Sequence, residues 1–183
     1  MEVAQLWRWP VEGTDGESMP SVRVDVRGVG GDRTHAILAR AGAGWAPVAL
    51  SGWRSSYPFA IGAALDPAKP PYAVVTSPDG RHFRWGDPRL RTALEDDLGV
   101  AVRLQRDPDT PRSVLIATAA APVDHANLRL DADVVGWRCG AELRFAGGAR
   151  LRVLAPVPGG GARARVLANG RIAAGEPFEL IAS

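Results

Sequence analysis

Hydrophobic and polar residues alternate with a period of two over much of the chain, as expected for strands with one buried face. Gln5, Trp7 and Trp9 alternate with Leu6 and Arg8 before Pro10; Val22, Val24 and Val26 alternate with Arg23, Asp25 and Arg27. Gly28, Gly30 and Gly31 then predict a turn, with His35–Leu38 as the return strand. Tyr72–Thr76 and Arg81–Trp85 flank Ser77-Pro78-Asp79-Gly80, a hairpin signal with Pro and Gly in turn positions. Val100, Val102 and Leu104 predict a short strand, residues 105–113 a polar loop, and Val114–Thr118 an apolar strand. Leu143–Phe145 and Leu151–Leu154 flank Gly147-Gly148 as a second hairpin. Arg163, Arg165 and Leu167 share one face of a later strand, and Phe178–Ile181 closes the chain. One segment has a helical period instead, over about residues 87–98. Asp87 is a natural N-cap, Pro88 fits the first turn, Leu90, Leu94 and Leu98 form one apolar face, and Gly99 ends it. Glu95, Asp96 and Asp97 read as its solvated side. The fold class is therefore mainly β, a barrel or sandwich with helical decoration.

Composition narrows the classes. A chain of 183 residues with 46% hydrophobic and 23% charged residues is a globular one, not a disordered one. The single Cys139 excludes an internal disulfide framework and a cysteine-rich zinc site, and suits a reducing, cytoplasmic compartment. The longest apolar run, Val114–Val123, is too short for a membrane span and is broken by Pro122. The start, Met1-Glu2-Val3, reads directly as a strand, so no signal peptide is expected. Net charge is +2, yet the pI is about 9.2, because Lys69 is the only lysine and arginine supplies the rest. That bias fits a GC-rich, bacterial source; acidic residues interrupt the arginines, so no nucleic-acid stripe is expected.

A set of short motifs in order then becomes recognisable. Val3–Val11, Gly31-Asp32-Arg33, Ser77-Pro78-Asp79-Gly80 with the helix after it, Asp124-His125-Ala126-Asn127-Leu128, Trp137-Arg138 with Leu143–Leu154, and Gly170-Arg171-Ile172 through Gly175-Glu176-Pro177-Phe178-Glu179-Leu180 follow one another along the chain. Together they resemble the MOSC family, named for the C-terminal domain of molybdenum cofactor sulfurase. The resemblance implies an N-terminal β-barrel region, here residues 1–104, running into a shortened MOSC barrel, 105–183, the two packed as one unit. Family members bind the molybdenum cofactor, transfer sulfur or reduce N-hydroxylated compounds. The sequence departs from the family where that chemistry resides. Glu12 and Gly13 stand where a lysine and a serine are usual, His125 and Ala126 where an arginine and a proline are usual. No cysteine follows Leu151-Arg152-Val153, where the family places its thiol; Ala155-Pro156-Val157-Pro158-Gly159-Gly160 follows instead.

These departures lead to the expectation of a repurposed protein, an enzyme of molybdenum-independent chemistry on a small organic substrate in bacterial specialised metabolism. No cofactor is expected on this reading. Glu12 or His125 would take the proton, since histidine titrates near neutrality. Arg33 would anchor an anion or carbonyl, with Asp32, His35 and Asn127 binding or orienting substrate. Each has an ordinary alternative. Arg33 could pair with Asp32 or Glu12, and His125 could sit in a polar loop. Gly28–Arg33 precedes a strand, not a helix, so a turn is favoured over a phosphate cradle. Trp7 and Trp9, on one face, form either core packing or an aromatic wall. Cys139 is either a displaced ligand or a small side chain at a strand end. Two other functions stay open: molybdenum cofactor binding for sulfur transfer or reduction, and a non-catalytic binding or accessory subunit. The oligomeric state is not legible.

Overall fold

The computed structural model describes residues 1–58, 65, 70–119, 124–131 and 137–181; Lys69 and Pro122, used above, lie outside them. The first half contains β1 (Val3–Arg8), β2 (Val11–Glu12), β3 (Glu17–Ser18), β4 (Ser21–Asp25), β5 (Gly28–Val29), β6 (His35–Ala41), β7 (Gly44–Pro47), β8 (Arg54–Ser56), β9 (Val74–Thr76) and β10 (His82–Arg84). Helix α1 (Pro88–Leu98) follows, then β11 (Val102–Arg106). The second half contains β12 (Val114–Ala117), β13 (Leu128–Leu130), β14 (Glu142–Phe145), β15 (Arg150–Val157), β16 (Gly161–Ala168), β17 (Gly170–Ala173) and β18 (Phe178–Ile181). The fold is mainly β with a single helix among the described residues, as the alternation predicts.

The strands form four ladders. The largest runs β18-β14-β15-β16-β12-β13-β1-β3, and the others are β10-β9-β8, β17-β4-β5, and β11-β6-β2 with β7 also on β6. All pairings are antiparallel except β12 with β13 and β2 with β6. The largest ladder is an open path, but its far regions meet. Val3 N donates to Glu176 O (3.0 Å), Gly175 N to Val3 O (2.8 Å) and Phe178 N to Met1 O (3.2 Å), laying the start of β1 beside the approach to β18.

Two apolar clusters hold these ladders. One gathers Leu6, Val22, Ile116, Leu128, Leu143, Leu151 and Ile172. The other gathers Ile37, Trp53, Val75, Phe83, Leu90, Leu94 and Val102. The passage from β11 to β12 crosses from the second cluster to the first. The first 29 residues nevertheless pack mostly with the C-terminal half, through Val3, Leu6, Met19, Val22, Val24 and Val29.

The helix obeys its sequence signals. The Asp87 carboxylate accepts from Arg89 N (2.9 Å), and Gly99, at φ 67°, donates to Glu95 O (2.9 Å). Asp87→Ala is expected to lower the urea midpoint of unfolding, because the N-cap bond to Arg89 N is lost. The acidic run is not simply solvated. Glu95 Oε1 accepts from Val102 N (3.0 Å), tying the helix to β11, and Asp97 Oδ2 accepts from Trp53 Nε1 (2.9 Å), fixing a buried indole.

Three other expectations are corrected. Val22 and Val24 are buried but Val26 is 71% exposed, because Asp25 ends the strand by accepting from Arg27 N (2.8 Å). That bond turns the chain at Val26-Arg27, so Gly28 is not in the turn but in β5, paired with Asp25. The loop predicted over 105–113 begins later, because β11 extends to Arg106 against His35 of β6. The stretch after Leu151-Arg152-Val153 is part of a long hairpin, in which Ala155, Pro156 and Val157 of β15 face Arg163, Ala162 and Gly161 of β16.

Candidate functional site

The site begins at the end of β1. Side chains two apart on a strand share a face, so Trp7 and Trp9 lie together, their rings stacked at 6.1 Å and 24°. Gly16 lies directly against them. A Cβ there would meet Arg8 O at 2.5 Å and Trp9 Cδ1 and Nε1 at 2.8 Å, so only glycine lets the Trp9 ring lie flat on this turn. The turn itself is pinned: Asp15 N donates to Trp53 O (2.7 Å) and Ser55 N to Asp15 O (2.9 Å). On the opposite side β13 pairs with β1, placing Arg129 across from Gln5. The loop before β13 brings His125 to Trp9, ring centroids 5.5 Å apart and tilted by 45°. The result is a surface groove of about 450 Å³ lined by these two tryptophans, Gln5, Asp15, Asp124, His125 and Arg129 among others.

His125 is exposed, and its ring nitrogens have no hydrogen-bond partner among the described residues. Its backbone is in the left-handed region, φ 59°, which a side chain with a Cβ adopts only when its surroundings impose it. Arg33, at φ 49°, is the other such non-glycine residue among those described. The two turns are bonded to each other. Arg33 Nη2 donates to Asn127 Oδ1 (3.1 Å) and to Ser113 O (2.9 Å), while its Nε donates to Asp32 Oδ2 (2.6 Å). Asp32 Oδ1 accepts from Trp9 N (2.9 Å), and Asn127 O accepts from Trp7 N (2.9 Å). Asn127 Oδ1 also accepts from Leu115 N (3.0 Å). Asp32 and Asn127 are buried, at 2% and 0% exposure.

The six residues expected to share a site are thus divided. Asp32, Arg33 and Asn127 form one internal network whose bonds hold the backbone of Trp7, Trp9 and the His125 loop; here they position the groove instead of lining it. Arg33 takes the ion-pair alternative with Asp32. His125 alone of the six lines the groove. Glu12 is exposed at the end of β2, paired with Ala36 on another ladder, and is not among the groove's lining residues. His35 is buried in the second cluster and does not share a strand face with Arg33, which lies in the turn before β6. Its Nδ1 lies 2.9 Å from Thr34 Oγ1 and 3.3 Å from Pro10 O, its ring meets Trp85 edge-on at 4.7 Å, and Nε2 has no partner among the described residues. Burial lowers its pKa to about 4; the Pro10 carbonyl opposes and Arg106 adds to the lowering. Beside it, burial pushes the Tyr57 phenol up to about 12, so it remains a donor, to Gly31 O at 2.7 Å.

Asp15 and Arg129 carry no motif of their own. Their roles arise from the pairing of β1 with β13 and from the pinned turn, neither of which a single sequence displays. The tryptophan period of two and the choice of His125 are the legible signals for the groove.

The donor set among the described residues does not fit a molybdenum cofactor. The chain's one thiol, Cys139, is exposed in the turn before β14 and is not among the groove's lining residues. Of the positions expected to hold a pterin, Arg33 has Nε and Nη2 engaged within the protein, and Asn127 has Oδ1 and Nδ2 engaged. No family model, curated protein or solved structure matches this chain. No helix among the described residues is long and apolar enough to cross a membrane.

Proposed function

We propose that this chain is a divergent MOSC-like protein, acting in the cytoplasm, that binds a small planar organic molecule in the Trp7–Trp9 groove. Proton transfer to or from that molecule through His125 is the activity the site suits best. The observation that carries this reading is an exposed imidazole, without a hydrogen-bond partner among the described residues, held in a left-handed backbone against a stacked tryptophan pair. Indole faces bind flat ligands by area and by their negative π-face, and imidazole exchanges a proton near neutral pH. Asp15 and Asp124 against Arg129 give the rim an acidic balance, which favours a ligand bearing an amine or another cationic group. The joining of Met1–Val3 to residues 175–178 supports a barrel-like wrapping, and the mainly-β order is compatible with the MOSC resemblance. The lack of a suitably placed thiol supports chemistry without molybdenum.

A screen of planar amines and heteroaromatics by tryptophan fluorescence tests the binding. Trp9→Ala is expected to weaken a hit at least tenfold. His125→Gly is expected to abolish turnover of that hit while unfolding within about 1 kcal/mol of wild type, because glycine accepts the left-handed backbone. Full activity in His125→Gly would remove the proton-transfer role. Near-stoichiometric molybdenum or tungsten with released pterin in the purified protein would return the chain to ordinary MOSC chemistry.

A further inference from the structure

A second concave site lies away from the tryptophan groove, on the solvent face of the β17-β4-β5 ladder. Val22, Val24 and Ile172 of these strands point into the core, so the intervening residues point outward. In that register Arg23 of β4 stands directly opposite Arg171 of β17. Directly opposed residues have Cβ atoms about 5 Å apart, and like charges in that arrangement repel. Neither guanidinium forms an ion pair or a side-chain hydrogen bond with a described residue; Arg171 feels the Glu176 carboxylate only at longer range. The nearest acid in the lining, Asp25, is already engaged by Arg27 through Nε (3.1 Å) and Nη2 and by the Arg27 backbone N–H (2.8 Å).

Arg23, Arg27 and Arg171 surround one hollow of about 450 Å³, together with Val24, Asp25, Asn169 and Gly170. Three guanidiniums therefore face one carboxylate, and that carboxylate is paired. Gly170 packs closely against the neighbouring backbone, where a Cβ would meet Ala149 N at 2.2 Å, so only glycine brings β17 and Arg171 into this position. An uncompensated cross-strand arginine pair costs stability in the free protein, and a hollow between the two is where a counter-ion would remove that cost. Arginine forks match tetrahedral oxyanions in pairs of N–H···O bonds.

We propose that the Arg23–Arg171 hollow is a binding site for a doubly charged tetrahedral oxyanion, the phosphate group of a small phosphorylated molecule. Arg23 and Arg171 supply the two forks, Arg27 adds positive charge from its place beside Asp25, and Asn169 lines the edge next to the bound group. The volume suits a phosphate with a short organic stem, and the face is one that the tryptophan groove does not share.

The site predicts effects of opposite sign in one pair of variants. Without ligand, Arg171→Gln and Arg23→Gln should each melt at or slightly above the wild-type temperature, because each relieves the repulsion. Titration with inorganic phosphate and then phenyl phosphate, at constant ionic strength held with chloride, should show saturable binding to wild type by calorimetry. Backbone amide shifts of residues 23–27 and 169–171 should report it. Each single variant should raise Kd at least tenfold, and the double variant should show no saturation. Tighter binding of phenyl phosphate than of inorganic phosphate identifies an ester as the natural form; equal binding leaves the free ion as ligand at the same site. Chloride reproducing the shifts, affinity unchanged in the double variant, or a lower melting temperature in both single variants would each overturn the proposal. The last outcome would mean that the arginines are structural.

Discussion

Asp32→Ala is expected to lower folding stability by roughly 3–5 kcal/mol, the usual cost of leaving one partner of a buried ion pair unmatched. The side chain is 1% exposed and its two oxygens serve different masters: Oδ1 accepts from Trp9 N and Oδ2 from Arg33 Nε. Removing it orphans a buried backbone N–H and strips the counter-charge from a guanidinium that is itself only 17% exposed. Against a total of about 5–15 kcal/mol for a domain, this is a large fraction. Asp32→Asn keeps an acceptor for Trp9 N and should lose less. Urea unfolding of both variants at neutral pH gives the comparison. A loss under about 1 kcal/mol for the alanine variant would mean that Arg33 finds other partners and that the network does not hold the Trp9 segment. In a folded Asp32→Ala protein the groove ligand should also bind more weakly, because Asp32 Oδ1 fixes the backbone from which the Trp9 ring projects.

Acidification is expected to destabilise the protein through His35. In the folded chain its pKa is about 4, whereas an unfolded histidine titrates near 6.5. Between those values the unfolded state binds the extra proton, so stability rises with pH. The contribution is fully present above about pH 6.5 and is lost as pH falls toward 4. From pH 7 to pH 5 the expected loss is about 2 kcal/mol. His35→Gln isolates it. The variant's absolute stability is not the readout; carboxylate titrations are common to both proteins, and the difference in their pH 7 to pH 5 change belongs to His35. Parallel pH dependences in wild type and variant would show that the imidazole gains a proton inside the fold without penalty.

These two residues illustrate what the sequence could convey. Alternation located most strands, and the Asp87–Gly99 signals located the helix, because those patterns are local. Asp32, Arg33 and Asn127 were singled out as a polar set, and they do meet, but as a strut, because their partners are backbone groups of β1 and of the chain entering β12. Such partners are invisible until the strands pair. His35 had the residue type of a site and the position of a core side chain; only packing against Tyr57 and Trp85 distinguishes the two. Glu12 and His125 are joined only by the resemblance to the MOSC pattern, yet Glu12 ends β2 and His125 lies in the turn before β13, and that separation rests on contacts distant in sequence. The Val26 error has the opposite origin. The alternation continued by composition past a strand that a single Asp25 side chain had already ended.

The stacked indoles of Trp7 and Trp9 have an optical consequence. Two indoles with centroids 6.1 Å apart and planes inclined by 24° exchange excitation, and a chirally skewed pair absorbs left and right circularly polarised light unequally, in two bands of opposite sign. A molecule that slides against the pair or twists one ring changes that skew, so the groove reports its own occupancy in the absorption of polarised ultraviolet light, with no label attached.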